Sequence, residues 1–145
     1  MHKMARDEWL PYLLTGTRTG KLATVRADGS PHVVPVWFLV DTAGDGDHVV
    51  FTTGKTSVKG RALARDPRFS LCVDVDVAPY SFVTVSGSVV LSDDLDDMLG
   101  WATRIGGRYM GEDNAERFGK RNAVDTEWLV RGRIDKVVAH AYVAD

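Results

Sequence analysis

The chain has 145 residues, 44% hydrophobic and 26% charged, with a formal net charge of −2. This length suits one domain with a workable core, and the near-neutral charge excludes a surface built wholesale for polyanions, so nucleic acid is not an expected partner. The single cysteine excludes an internal disulfide framework or a cysteine zinc site; there is no signal-peptide core and no apolar run long enough to span a bilayer, so a cytoplasmic protein without membrane attachment is expected.

Residues 1–6 read as a loose tail. Asp7 can cap a short helix over Glu8–Leu14, with Trp9, Leu10, Leu13 and Leu14 on its apolar face and Pro11 tolerated near the first turn. Gly16 and Gly20 end it. Lys21–Arg26 reads as a strand, and Ala27-Asp28-Gly29-Ser30 as a turn with the strong hairpin pair Asp-Gly at its centre. The return strand runs from about His32 to Val40. A turn over Asp41–Asp47 then leads to a β-branched and aromatic strand, Val49–Thr53.

Gly54 breaks that strand. Thr56 or Ser57 can cap the following helix, whose apolar residues Val58, Ala62 and Leu63 recur at helical spacing, and Asp66-Pro67 stops it. Phe69–Val77 alternates as a strand, with Cys72 read as a small core residue. Ala78-Pro79-Tyr80 turns the chain. Phe82–Leu91 alternates again, and Gly87 within it marks a bulge or a close backbone approach. Ser92-Asp93-Asp94 caps a helix over Leu95–Arg104, interrupted by the glycine-rich stretch Gly106–Gly111. A second short helix spans Asn114–Lys120, and Thr126–Val143 reads as one or two strands with a bend at Asp135-Lys136. About six strands, mostly joined by hairpins, predict a mainly β single domain: an antiparallel barrel with peripheral helices.

The unusual local feature is charge. Lys55, Lys59 and Arg61 lie in or just before the first two turns of the helix after Gly54. A helix N-terminus carries partial positive charge, so each cation there costs roughly 0.3–1 kcal/mol. Three of them beside hydroxyls and free backbone N–H groups form either a solvated basic face or an anion site. The stretch is not a P-loop: Gly54-Lys55-Thr56 mimics the end of that motif, but Val49 stands where its first glycine belongs, which disfavours nucleoside triphosphate hydrolysis.

No catalytic apparatus stands out. None of His2, His32, His48 and His140 has metal spacing to another ligand, and no Gly-x-Ser-x-Gly elbow exists. His32 is a weak candidate proton donor or a rim residue. Pro35 lies inside a strand pattern where it cannot donate a ladder hydrogen bond, so it belongs at an edge or bulge, leaving the backbone of Val34 and Val36 free to meet a ligand. Trp37 either lines a pocket or fills the core; Tyr80 and Phe82 can flank the same cleft. An anion cradle without catalytic groups points to a cofactor that carries the chemistry.

The run Leu22-Ala23-Thr24-Val25-Arg26-Ala27-Asp28-Gly29-Ser30-Pro31-His32-Val33-Val34-Pro35-Val36-Trp37-Phe38, followed by Thr52-Thr53-Gly54-Lys55-x-x-x-Lys59-x-Arg61-x-Leu63, resembles the split β-barrel flavin and deazaflavin oxidoreductases related to pyridoxamine 5′-phosphate oxidase. The branch it is most similar to is the small actinobacterial F420-dependent reductases. The resemblance implies a six-stranded antiparallel split β-barrel of the FMN-binding type, a homodimer, and two cofactor sites at the subunit interface. It implies coenzyme F420, or FMN as the alternative, with its ring against Val34-Pro35-Val36-Trp37. The phosphate would be held by Thr52, Thr53, Lys55, Ser57 and Lys59, with Arg61 a further candidate; Tyr80 and Arg108 complete the proposed cofactor set. Trp101, Arg104, Arg108 and Tyr109 are candidates for closing the site from the second subunit. The implied activity is hydride transfer from reduced F420 to a small conjugated, electron-poor acceptor such as a quinone, an enone or a tetrapyrrole like biliverdin. A non-catalytic carrier of F420, FMN or haem is the rival. The oxidase branch carries a tryptophan- and arginine-containing substrate segment near its end; the final residues here, Ala139–Asp145, hold neither, which argues against pyridoxamine phosphate as substrate.

Overall fold

A computed structural model describes residues 1–145. Eight strands form one antiparallel sheet: β1 (His2–Lys3), β2 (Gly20–Val25), β3 (Pro31–Val36), β4 (Leu39–Asp41), β5 (His48–Gly54), β6 (Arg68–Val75), β7 (Ser81–Ser92) and β8 (Glu127–Ala141). Their order is β3-β2-β6-β7-β8-β5-β4, with β1 added against β8. Four helices accompany them: α1 (Arg6–Leu13), α2 (Val58–Arg65), α3 (Leu95–Met110) and α4 (Ala115–Asn122).

The expectation of a six-stranded barrel is corrected to an eight-stranded sheet, and two local causes account for the difference. The expected strand His32–Val40 is two strands, because Trp37 and Phe38 leave the ladder between β3 and β4. The expected loose tail is also partly ordered: His2 pairs with Ala141 and Lys3 with His140, and Met4 is buried beneath them.

The core follows from strand alternation. Leu22, Leu71, Val73, Val83 and Val85 point inward from neighbouring strands and pack with Phe38, Phe51 and Val130, all fully buried. Cys72 is not a core residue: it lies between the buried Leu71 and Val73, so the period of two turns it to the opposite, half-buried face. Strand β5 carries a continuous apolar run because both its faces are covered. Val49 and Phe51 enter the main core, while Val50 and Leu129 pack with Met98 and Trp101 beneath α3.

Helix α3 runs unbroken through Gly106 and Gly107, against the expected interruption. Its stripe Met98, Trp101, Ala102 and Ile105 recurs at i, i+3, i+4 and i+7 and is buried. The glycines are there for close packing: a Cβ at Gly106 would lie 2.7 Å from Phe118 Cβ, so their absence lets α4 approach. Asp94 caps α3 through the N–H groups of Asp96 and Asp97. The expected bulge at Gly87 is present as a register shift between Ser86 and Gly87, and a side chain there would strike the Arg133 carbonyl.

Candidate functional site

Strand β5 ends where α2 begins, and this junction is built by hydroxyls. Ser57 is the N-cap of α2, accepting from Gly60 N at 3.0 Å and donating to Gly54 O at 2.8 Å. Thr53 Oγ1 lies 3.1 Å from Ser57 Oγ. Across the ladder, Gly54 stands opposite Glu127 at the start of β8, and Lys55 N donates to Thr126 O.

An open cleft of about 290 Å³ lies beside this junction. Pro35, Val36 and Trp37 form its apolar wall from β3 and the break after it. Thr52, Thr53, Gly54 and Lys59 supply the polar corner, and Ile105, Asn122 and Glu127 complete it from α3, α4 and β8. The arrangement sets an apolar surface beside a polar corner made of hydroxyls, one ammonium and the Glu127 carboxyl.

Trp37 is held as a platform. Its ring stacks on Tyr109 at 5.2 Å with 4° between planes, and Phe118 abuts it at 5.8 Å. Tyr109 is itself fixed: its hydroxyl donates to Arg18 O at 2.8 Å and accepts from Phe38 N at 3.3 Å. Burial pushes that phenol above its ordinary range, so it stays neutral. Trp37 is half-buried, lining the cleft with one side and packing with the other.

The expected site residues divide. Pro35, Val36, Trp37, Thr52, Thr53 and Lys59 line one cleft, and Ser57 supports Thr53 from beneath. Val34 and Val36 lie within the β2–β3 ladder, opposite Leu22 and Gly20. The ammonium of Lys55 sits 4.6 Å from the centre of the Trp128 ring, outside the cleft lining, and Arg61 is exposed on α2. His32 faces Thr24 across the ladder, half-buried, with Nδ1 unpartnered; it too lies outside the lining.

Tyr80 and Arg108 lie elsewhere in the chain. Tyr80 occupies a separate apolar hollow with Met4, Tyr12 and Tyr142, where its carbonyl accepts from Val143 N. Each of the three nitrogens of the Arg108 guanidinium donates internally: Nε to Gly16 O at 3.0 Å, and the two terminal nitrogens to Phe38 O at 2.7 Å and Leu13 O at 2.8 Å. It therefore ties α3 to the end of α1 and to the break after β3. These donors satisfy carbonyls that the end of α1 and the strand break leave free.

Glu127, Asn122 and Ile105 are cleft residues that local pattern did not mark. The sequence signal that could have marked Ile105 is its i+7 spacing from Met98 in the apolar stripe of α3. Glu127 reaches the site because β8 pairs with β5, a contact spanning more than seventy residues of chain. Its Oε2 is buried without a hydrogen-bond partner, and burial raises its carboxyl above the ordinary range while the nearby charge of Lys59 opposes the shift.

The sheet order, with the cleft at the β5–α2 junction, defines a mainly antiparallel β domain of the pyridoxamine 5′-phosphate oxidase-like fold. The profile of the pyridoxamine 5′-phosphate oxidase family matches residues 7–131, and the chain belongs to that family. No curated protein matches it in sequence. Among solved structures, a conserved hypothetical protein of Mycobacterium tuberculosis is similar at 22% identity and TM-score 0.81, covering 96% of this chain and 86% of its own. An F420 reductase is 26% identical at TM-score 0.67, covering 90% of this chain and 96% of its own. The haem storage protein HutZ of Vibrio cholerae shares the fold at 16% identity and TM-score 0.71, covering 98% and 100%. No helix of the chain is long and apolar enough to cross a membrane.

Proposed function

We propose that this chain is an F420-dependent oxidoreductase that passes a hydride to a conjugated, electron-poor acceptor such as a quinone, an enone or a tetrapyrrole of the biliverdin type. One observation carries the reading: an apolar wall at Pro35-Val36-Trp37 and a polar corner at Thr52, Thr53 and Lys59 share one cleft. That combination suits a planar ring joined to a phosphate. The 26% identical F420 reductase, aligned over nearly its whole length, supports the deazaflavin over FMN.

The residues present fit such a group. The hydroxyls of Thr52 and Thr53 and the ammonium of Lys59 would hold the phosphate, with charge-assisted hydrogen bonds contributing about 1.5–3 kcal/mol each. Trp37 and Pro35 would support one face of the ring and exclude water from it. The reduced deazaflavin supplies the hydride. The proton that balances reduction of the acceptor is assigned to solvent, because Tyr109, the titratable side chain stacked on Trp37, already donates its hydroxyl proton to Arg18 O. The residues of this chain act by binding, orienting and shielding.

A cleft of about 290 Å³ encloses only part of a flavin-sized molecule. A second copy of the chain, forming a homodimer, would cover the rest; light scattering at micromolar concentration tests this.

Titration of the ligand-free chain with F420 and with FMN, followed by fluorescence, tests the cofactor. Tighter binding of FMN would replace F420 in the reading. Oxidation of reduced F420 in the presence of an acceptor panel then tests turnover, and no consumption with any acceptor would leave a carrier.

A further inference from the structure

The cleft contains a group that an anion site should not hold. Glu127 lines it together with Lys59, Thr52 and Thr53, and its Oε2 is buried with no donor facing it. An ionised carboxylate lining the same corner as a bound anion would repel it. A protonated carboxyl at the same place reverses the sign, because it donates where the carboxylate would repel.

The charged groups around Glu127 are few. Lys59 approaches from α2, and Lys55 lies in the β5–α2 turn with its ammonium over Trp128. Helices α3 and α4 present Ile105 and Asn122, neither of which titrates. Nothing in the chain therefore pairs with Oε2. Burial already favours the neutral carboxyl, and an arriving anion favours it further while occupying the charge of Lys59.

We propose that Glu127 is a proton-bearing donor of this cleft: protonated in the complex, its carboxyl donates from Oε2 to an oxygen of the bound anion, so that a phosphate-bearing ligand is taken up together with one proton from solvent. This rests on the reading of the cleft as the phosphate site given above. It makes affinity pH-dependent and assigns the dependence to one residue outside the lysine-rich turn.

The test is calorimetric titration of the full chain with F420 and, separately, with FMN, in two buffers of different ionisation enthalpy. Across about pH 7 to 9, comparison with Glu127→Gln isolates the carboxyl's proton from that of any other titrating group. Between the pKa of the free carboxyl and that of the complexed one, the wild-type chain should take up close to one proton per ligand and lose affinity about tenfold per pH unit. Glu127→Gln, which keeps the donor but not the charge, should bind without proton uptake and with flat affinity across that range. Riboflavin, which lacks the phosphate, should bind without uptake.

Binding of F420 or FMN with no proton uptake overturns the proposal. So does uptake that persists in Glu127→Gln, or loss of affinity in Glu127→Gln without uptake in the wild type; the last would mean an ionised Glu127 accepting from a ligand hydroxyl. If the wild-type chain binds neither F420 nor FMN, the phosphate reading fails and this inference fails with it. If Glu127→Gln does not fold, proton uptake by the wild-type chain alone decides.

Discussion

Gly60→Ala should loosen both the fold and the cleft. Gly60 is buried in the first turn of α2, against the end of β5. A Cβ there would overlap the Gly54 carbonyl oxygen and lie 3.1 Å from both the Gly54 carbonyl carbon and Ser57 Oγ. The Gly54 carbonyl cannot easily retreat, since it accepts from Ser57 N at 3.1 Å and Ser57 Oγ at 2.8 Å. The first turn of α2 must therefore move, carrying Lys59 with it and stretching the Ser57–Gly60 cap. Overpacking costs about 1–3 kcal/mol and loss of a cap about 1 kcal/mol, while alanine's better helix propensity returns about 1 kcal/mol. A net destabilisation of about 1–3 kcal/mol is expected, read as a lower urea midpoint at unchanged slope. Affinity for a phosphate-bearing ligand should fall in the same variant. Gly100→Ala is the control: nothing lies within 4 Å of its Cβ position on the exposed side of α3, so it should stabilise by about 0.5–1 kcal/mol. A Gly60→Ala chain as stable as the wild type, with unchanged ligand affinity, would refute this account of the junction.

The remaining expectations concern single side chains. Lys59→Ala should weaken ligand binding by about 1.5–3 kcal/mol and Lys55→Ala by clearly less, because only Lys59 lines the cleft; equal losses in a fluorescence titration would contradict that division. Arg108→Lys should cost roughly 1.5–3 kcal/mol of stability by urea denaturation, since one ammonium cannot satisfy carbonyls of Leu13, Gly16 and Phe38 together; an unchanged midpoint would remove Arg108 from the scaffold. Glu127→Gln should raise the melting temperature of the ligand-free chain near neutral pH. The folded carboxyl holds its proton more tightly than the unfolded one, so its stabilising effect is complete below the ordinary carboxylate range and is lost as pH rises through the raised value. The gain from the substitution should therefore shrink in acid; a gain that persists there would argue for packing instead of charge.

The sequence by itself determined the period of its elements and the strand-to-helix junction beside the cleft. Alternation in Phe82–Leu91 and Phe69–Val77 made strands, Asp28-Gly29 made a turn, and the change from β-branched residues to Ser57 and Val58 made a strand-to-helix junction, because each depends on neighbours within a few residues. Gly87 could be read as a bulge for the same local reason. Where the signal is local but ambiguous, the reading failed. Gly106 and Gly107 look like helix breakers, yet they remain helical because the contact with α4 that their missing side chains permit outweighs their poor propensity. Cys72 fell on the outer face because one residue of register decides which side of a strand is buried.

Only the tertiary structure decided what surrounds the corner. Glu127 meets Gly54 through the β5–β8 ladder, Tyr109 meets Trp37 through the packing of α3, and Arg108 is consumed by carbonyls at the end of α1 and at the break after β3. None of these partners lies within a window that periodicity can see. They are set by which strands pair and how α3 lies across them, and that is fixed by burying the whole core at once, not by any single segment.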